Sequence, residues 1–337
     1  MQLAGLVTCK REWFQSVASS MERARRNELT KVDIVIVNWN AGPQLRECID
    51  SIFAHERARL GRVIIVDNAS ADGSANFCAE DDRVRLVQLD RNLGFGSACN
   101  LGALEGTSDY VLFLNPDTRF LMPTLGDVAS FMDSPSAWNI GVCGVRMVGT
   151  DGATAKHCAR IPAPLVFFNV STGLSKLAPN IFLPLELLEF DHETSSAVPH
   201  VMGAFYFVRR EVFEKVRGFD ERFFVYYEDL DLSLRIADAG YTIYYMTEPH
   251  VFHRTGGTSK TAKAKALSYL FESRLTYAEK HYSRVGRALV AAGVYVVDPA
   301  RRLFHSLISR SAGVAAETLK ASFRLWVMRF GGKPDRS

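Results

Sequence analysis

Five short stretches hold most of the side chains that could do chemistry. Glu228-Asp229-Leu230-Asp231 packs three carboxylates into four residues, directly after the aromatic run Phe223-Phe224-Val225-Tyr226-Tyr227. An apolar surround raises a carboxyl pKa toward that of a useful general base. The plainer reading is that acidic residues here only complement a helix N-terminus. Asn115-Pro116-Asp117 follows the apolar run 110–114. Asp117 then hangs at a strand end, where one carboxylate plus phosphate oxygens suits a hard divalent cation. The same tripeptide is also an ordinary turn former. His253 stands in His250-Val251-Phe252-His253-Arg254-Thr255-Gly256-Gly257. Neutral imidazole is a common metal ligand, and two histidines beside Arg254 and a glycine pair point to a diphosphate and metal environment. A lone histidine, by contrast, is usually structural. Asp67 closes a buried run, where a carboxylate can accept the N3–H of a pyrimidine base or simply cap the next turn. Asn92-Leu93-Gly94-Phe95-Gly96 is a glycine-rich loop opening a helix, a natural neighbour for a diphosphate. Its third glycine is missing, and Asn115 stands where a dinucleotide fold needs an acid, so a nicotinamide site fits poorly.

These side chains need a scaffold, and the hydrophobic pattern supplies one. Val32 to Val37 is a continuous β-branched run, as expected of a parallel strand buried on both faces. It exits in Asn38-Trp39-Asn40, and a helix pattern from Pro43 to about Arg57 puts Leu45, Ile49, Ile52 and Phe53 on one face. Arg62 to Asp67, Val84 to Leu89 and Tyr110 to Leu114 repeat the strand pattern, with a helix from the Asn92 loop through Glu105. Strands alternating with helices at this spacing predict an α/β doubly wound, mostly parallel sheet. Such sheets bind ligands at the carboxyl ends of their strands, and all four exits here are polar.

Later elements follow with less rhythm. Strands are expected at Ile140 to Val148, Gly203 to Val208 and Tyr241 to Met246, and helices at Glu211 to Val216, Glu228 to Ala239 and Ala262 to His281. His250 to Gly257 reads as a loop. Pro162 to Leu188 is apolar without clean periodicity, which predicts a mobile or acceptor-side segment. Basic amphipathic helices are expected over 284–297, 299–310 and 314–330, punctuated by Pro299 and Gly313.

Composition narrows the class. The 337 residues are 47% hydrophobic and 23% charged, enough for a sizeable core and incompatible with global disorder. The net charge of +3 is uneven: residues 1–31 hold 6 basic and 3 acidic side chains, and residues 280–337 hold 11 and 3. The body between is acidic, which suits a metal site and argues against a nucleic-acid-binding core. The basic, apolar end suits an anionic membrane surface. The six cysteines make no CxxC pair and read as reduced, buried thiols. No signal-peptide pattern is visible, and the late apolar run Ala288 to Val297 is too short to span a bilayer.

Together, NWN, VDNAS, RNLGFGSACNLG, LFLNPD, the long stretch GAFYFVRREVFEKVRGFDERFFVYYEDLDLSLRIADAGY and HVFHRTGG resemble the second family of glycosyltransferases, and within it bacterial rhamnosyltransferases. The resemblance runs from about Val32 to Lys280. It implies the GT-A fold, a catalytic domain over 31–280, an N-terminal extension over 1–30 and a helical C-terminal appendage over 281–337. It also implies transfer of a sugar from a nucleotide diphosphate donor, dTDP-rhamnose in the first instance and a UDP-sugar in the second, to a lipid-linked or polysaccharide acceptor. By position, Asp229 corresponds to the catalytic base, and Asp117 and His253 to ligands of a divalent Mg²⁺ or Mn²⁺. Asn38, Asn40, Asp67, Arg91, Asn92, Gly94, Asn115 and Glu228 make up the implied nucleotide-sugar-binding set. The metal motif departs from the family's Asp-x-Asp in having Asn115 first, which leaves Asp117 to hold the ion nearly alone. The implied location is the inner face of the plasma membrane. A nucleotidyltransferase would need a basic cluster in the first exit loop, which Asn38-Trp39-Asn40 lacks. A non-catalytic scaffold would not need Asp117, Asp229 and His253 together.

Overall fold

The computed structural model describes residues 29–254 and 263–331. Most of the N-terminal extension, Cys9 and the end of the histidine segment from Thr255 onward lie outside the described residues. In chain order the elements are β1 (Val32–Asn38), α1 (Gln44–His55), β2 (Leu60–Asp67), β3 (Val84–Gln88), α2 (Phe95–Leu104), β4 (Tyr110–Leu114), β5 (Thr118–Phe120), α3 (Leu125–Asp133), β6 (Ile140–Val148), α4 (Pro164–Thr172), α5 (Leu174–Leu177), β7 (Ser196–Ala197), β8 (Phe205–Arg209), α6 (Arg210–Lys215), α7 (Glu228–Asp238), β9 (Thr242–His253), α8 (Lys263–His281), α9 (Arg284–Ala292), α10 (Asp298–Ile308) and α11 (Ala312–Phe330).

The described strands form one nine-stranded sheet in the order β3-β2-β1-β4-β8-β6-β9-β5, with β7 pairing β9. β1, β2, β3 and β4 run parallel. β8 enters antiparallel between β4 and β6, and β9 runs parallel to β6. Side-chain alternation explains the unbroken apolar strands. Ile34 and Ile36 face one core cluster and Val35 and Val37 the other, so both faces of β1 are covered. α1 buries Leu45, Ile49 and Ile52 as its periodicity predicts, together with Cys48.

The structure departs from expectation in four places. The predicted strand after Gly240 and the predicted histidine loop are one strand. β9 runs through Pro249 because its register against β6 jumps from Met246 to His250, looping out the stretch around a residue with no N–H to give. The segment 162–188 is not simply irregular: it contains α4 and α5, and α4 packs on α9. Pro299 does not break the tail. The chain stays helical from Arg284 to Ile308 because a π turn at Gly293–Val297 absorbs the missing hydrogen bond ahead of the proline ring. Gly313 lies inside α11 rather than before it. Cys48, Cys78, Cys99, Cys143 and Cys158 are all free and buried. Among the described residues no helix is long and apolar enough to cross a membrane.

Candidate active site

A cavity of about 1080 Å³ opens at the carboxyl ends of β1, β2 and β4. Its wall brings together Asn92, Gly94, Asn115, Asp117, Glu228, Asp229 and His253, seven of the residues expected from sequence. Asn38, Asn40, Asp67 and Arg91 do not reach that wall. Asn38 and Asp67 are buried and tied to each other, Asn38 Nδ2 donating to Asp67 Oδ1 at 2.9 Å and to Ser70 and Ser74. Asn40 takes φ +52° and uses its Oδ1 to accept from the Ala71 N–H. Arg91 is exposed.

Local backbone geometry explains how Asp117 meets His253. Thr118 N–H donates to the Asn115 carbonyl at 3.1 Å, so Asn115-Pro116-Asp117 is a turn as its composition suggests. The turn feeds β5, whose first residue pairs with His253 of β9. Asp117 is thereby set beside His253, with its Oδ1 3.3 Å from His253 Nε2, and both side chains are largely buried. Two ligands bound about 2.1 Å from one octahedral ion at right angles lie about 3 Å apart, so this spacing suits a shared divalent cation. Among the described residues no group of three His, Cys, Asp or Glu side chains could hold a metal. A divalent cation held by this pair would take its remaining ligands from ligand oxygens and water, as Mg²⁺ and Mn²⁺ commonly do on phosphates.

The second wall is the start of α7. Tyr226 and Tyr227 both adopt left-handed φ, +71° and +64°, and turn the chain sharply into Glu228. Asp229 is held by two backbone donors, Gly203 N–H to Oδ2 and Leu230 N–H to Oδ1, each at 2.8 Å. Its side chain keeps 20% of its surface exposed, so it can meet a ligand. A Cβ at Gly203 would sit 3.0 Å from Asp229 Oδ2 and crowd the carboxylate, so glycine eases this approach. Glu228 is different. It is buried, its Oε2 has no partner, and burial followed by the Asp229 charge pushes its pKa well above the ordinary carboxyl range. Burial thus favours the protonated form at Glu228, while its neighbour Asp229 stays accessible.

The third wall is the glycine loop before α2. Asn68 fastens it: Asn68 Nδ2 donates to Asn92 Oδ1 and to the Gly94 carbonyl, and Asn68 Oδ1 accepts from Leu93 N–H. Gly94 has φ +89°, and a Cβ there would lie 2.4 Å from the Phe224 carbonyl oxygen. Sequence reasoning missed Asn68 because Asp67 beside it offered the more reactive group. It also missed His157 and His200, isolated histidines on irregular chain that line the cavity. The cavity is also lined by Lys156, Lys176 and Lys265.

With this geometry in place, comparison with known proteins is decisive. The glycosyl transferase family 2 model matches residues 33–217, and the glycosyl transferase family group 2 model matches residues 163–329. The chain belongs to glycosyl transferase family 2. It is therefore a glycosyltransferase. This enzyme is 28% identical to the N-acetylglucosaminyl-diphospho-decaprenol L-rhamnosyltransferase of Mycobacterium tuberculosis, over 76% of the chain and 86% of that protein. It is 30% identical to rhamnosyltransferase WbbL of Escherichia coli K12, over 73% of the chain and 92% of that protein. Among solved structures, the mannosyltransferase PcManGT from Pyrobaculum calidifontis, in complex with GDP-Man and Mn²⁺, superposes with a TM-score of 0.50 at 17% identity, covering 96% of this chain and 91% of that one. That likeness confirms the GT-A fold for the glycosyltransferase, with its helical region at the C-terminal end.

Proposed function

We propose that this glycosyltransferase transfers L-rhamnose from dTDP-rhamnose to a lipid-linked or polysaccharide acceptor in bacterial cell-surface glycan synthesis, with inversion at the anomeric carbon. The observation that carries the reading is the placement of Asp117, His253 and Asp229 around one cavity. The donor assignment is supported by the rhamnosyltransferases among its relatives. Asp229 takes the proton of the acceptor hydroxyl. The acceptor oxygen forms its bond to the anomeric carbon as the bond from that carbon to the diphosphate breaks, and the nucleoside diphosphate leaves with the electron pair. Asp117 and His253 would hold a divalent ion, Mg²⁺ or Mn²⁺. When bound, the ion supplies positive charge that offsets the negative charge growing on the leaving group. The Asn92–Gly94 loop and Asn115 border the space left for the nucleotide, while Asn38, Asn40 and Asp67 brace that side from behind the wall.

The catalytic domain is taken as 31–280 and the appendage as 281–337. The appendage presents Phe304, Leu307, Ile308, Phe323, Trp326 and Phe330 to solvent, with exposed Arg284, Arg287, Arg310 and Lys320 nearby. Apolar side chains interleaved with unlike-charged partners for anionic lipid suit peripheral attachment at the cytoplasmic face, where a lipid-linked acceptor is found.

The test is release of nucleoside diphosphate from a panel of nucleotide sugars, with a polyprenyl-diphospho-sugar acceptor and with or without EDTA. dTDP-rhamnose is expected to be turned over only with metal. Asp229→Asn should lose about 10²–10⁴-fold in kcat while still binding donor, and Asp117→Ala should lose metal-dependent donor binding. Full turnover by Asp229→Asn, or equal turnover in EDTA, refutes the mechanism.

A further inference from the structure

We propose that His200 is a positioning residue for Asp229, the last member of a buried chain Tyr206–Ser233–His200 that aims an imidazole N–H at the catalytic carboxylate. The inference rests on Asp229 being the base. His200 precedes β8, is 5% exposed and lines the cavity. Its Nδ1 is 2.9 Å from Ser233 Oγ, and Ser233 Oγ is 3.0 Å from the Tyr206 hydroxyl. Ser233 and Tyr206 are both fully buried. Ser233 follows Asp229 by four residues on α7, so the two share a helix face. On the other side, His200 Nε2 lies 3.7 Å from Asp229 Oδ2.

Proton arithmetic gives the chain a direction. Buried Tyr206 must donate its hydroxyl proton, and the Ser233 oxygen is the acceptor at hand. Ser233 then donates its own proton to His200 Nδ1. A neutral imidazole accepting at Nδ1 carries its hydrogen on Nε2, the nitrogen that faces Asp229. The opposite direction would leave the buried phenol with no acceptor and turn a bare nitrogen lone pair toward a carboxylate. Burial holds the imidazole neutral, lowering its pKa against the upward pull of Asp229, and raises the Tyr206 phenol above its usual value. Asp229 is thus approached by three N–H donors, those of Gly203, Leu230 and His200. The third stands at 3.7 Å, just beyond hydrogen-bond distance. The other titratable groups facing His200 are Tyr206 of β8, through Ser233, and His157 on the connection after β6; burial raises the first and lowers the second, which disfavours charge on either. Asp229 itself also feels Glu228 beside it on α7 and Cys99 of α2, both pushed up by burial. A donor aimed at the carboxylate favours its ionised form, the form that can take the acceptor's proton.

The experiment is the pH profile of kcat/KM for the wild type, His200→Phe, His200→Gln and Ser233→Ala, with Asp229→Asn as the control. Removing the donor should raise the apparent pKa of the acidic limb in His200→Phe by about one unit, a tenfold loss on that limb, with activity recovering at higher pH. Ser233→Ala should move the limb in the same direction by less. His200→Gln, whose amide N–H reaches the same place, should recover most of the shift. A loss of activity equal at every pH, or a limb unmoved in both His200→Phe and Ser233→Ala, overturns the proposal. If His200→Phe does not fold, an unmoved limb in Ser233→Ala overturns it alone. Retained turnover in Asp229→Asn would remove the base assignment itself. A dead Asp229→Asn with an unmoved limb removes only the role of His200.

Discussion

Glu228→Gln separates the two adjacent carboxyls by their protons. Glu228 is buried with an unpartnered Oε2, and burial and then the Asp229 charge push its pKa well up. In the folded protein it keeps its proton over a range where an unfolded chain's glutamates have lost theirs. The native state then binds more protons than the unfolded state, so stability falls as pH rises above the ordinary carboxyl value. The fall stops once pH passes the raised native value. Glutamine has no proton to lose and removes this slope. At pH 5 wild type and variant should differ by about 1 kcal/mol or less, since a neutral group of the same shape replaces another. Each further pH unit over which native Glu228 stays protonated should favour the variant by about 1.4 kcal/mol. With an m-value of about 3 kcal/mol/M in urea, that is roughly 0.4–0.5 M in midpoint per pH unit. The assay is urea unfolding at pH 5, 6, 7 and 8. Parallel pH dependences for the two proteins would show that Glu228 is ionised in the native state, and the division of labour between the two carboxyls would fall.

Three other substitutions probe the frame of the site. Gly94→Ala places a Cβ on the Phe224 carbonyl and holds alanine at positive φ, so the loop must shift and lose the Phe95 N–H to Phe224 carbonyl bond; about 2–4 kcal/mol of stability and weaker donor binding are expected, and an unchanged Tm with unchanged donor affinity would contradict this. Asp33→Ala removes a buried carboxylate that accepts from Arg62 N–H, Ser108 N–H, Ser108 Oγ and Arg210 Nη2; leaving Arg210 and these donors unpaired should cost about 3–5 kcal/mol, read by chemical denaturation. Phe323→Ser with Trp326→Ser should leave the Tm nearly unchanged, since both side chains are exposed, but should weaken flotation with anionic vesicles by about 2 kcal/mol per residue; equal flotation of variant and wild type would remove α11 from the lipid contact.

What could be read from sequence followed from local pattern. β1, β2, β4 and β6 each contain an apolar run buried on both faces, and α7 announces itself by a carboxylate-rich start and by Gly240 beyond its end. The pairing of β5 with β9 was not legible: β5 has three residues, too few for any periodicity, and a partner more than a hundred residues away sets its register. Yet that register alone brings Asp117 to His253. β9 was cut short because Pro249 is a valid stop signal for an unbulged strand, and the tail was cut at Pro299 because a π turn leaves no mark in composition. Asn68 and His200 are not legible for a common reason: their partners, Asn92 and Gly94 for the first and Ser233 and Asp229 for the second, are brought beside them only by tertiary contact.

The turn into α7 shows how these distant elements depend on one another. Two consecutive non-glycine residues at positive φ cost about 1–3 kcal/mol each, so Tyr226 and Tyr227 hold that shape only because their surroundings demand it. The Phe224 carbonyl accepts from Phe95 at the start of α2, and the Val225 carbonyl accepts from Ser273 of α8. The Tyr227 hydroxyl accepts from Arg274 of α8, and its ring meets Phe167 of α4 edge-on. Arg274 is in turn 3.5 Å from Asp298, the buried acid that also binds Arg301 and Arg302 at the start of α10. The glycine loop, α4 and α8 therefore hold Phe224, Val225 and Tyr227, the appendage reaches them through Arg274, and this turn leads straight into Glu228 and Asp229 at the cavity. An appendage that only tethered the enzyme to lipid would have no need of a buried ion pair reaching to Tyr227. Its helices help hold Asp229, the proposed base, in place, and truncation before Asp298 should lower the Tm and kcat together, whereas Phe323→Ser with Trp326→Ser should lower neither in detergent.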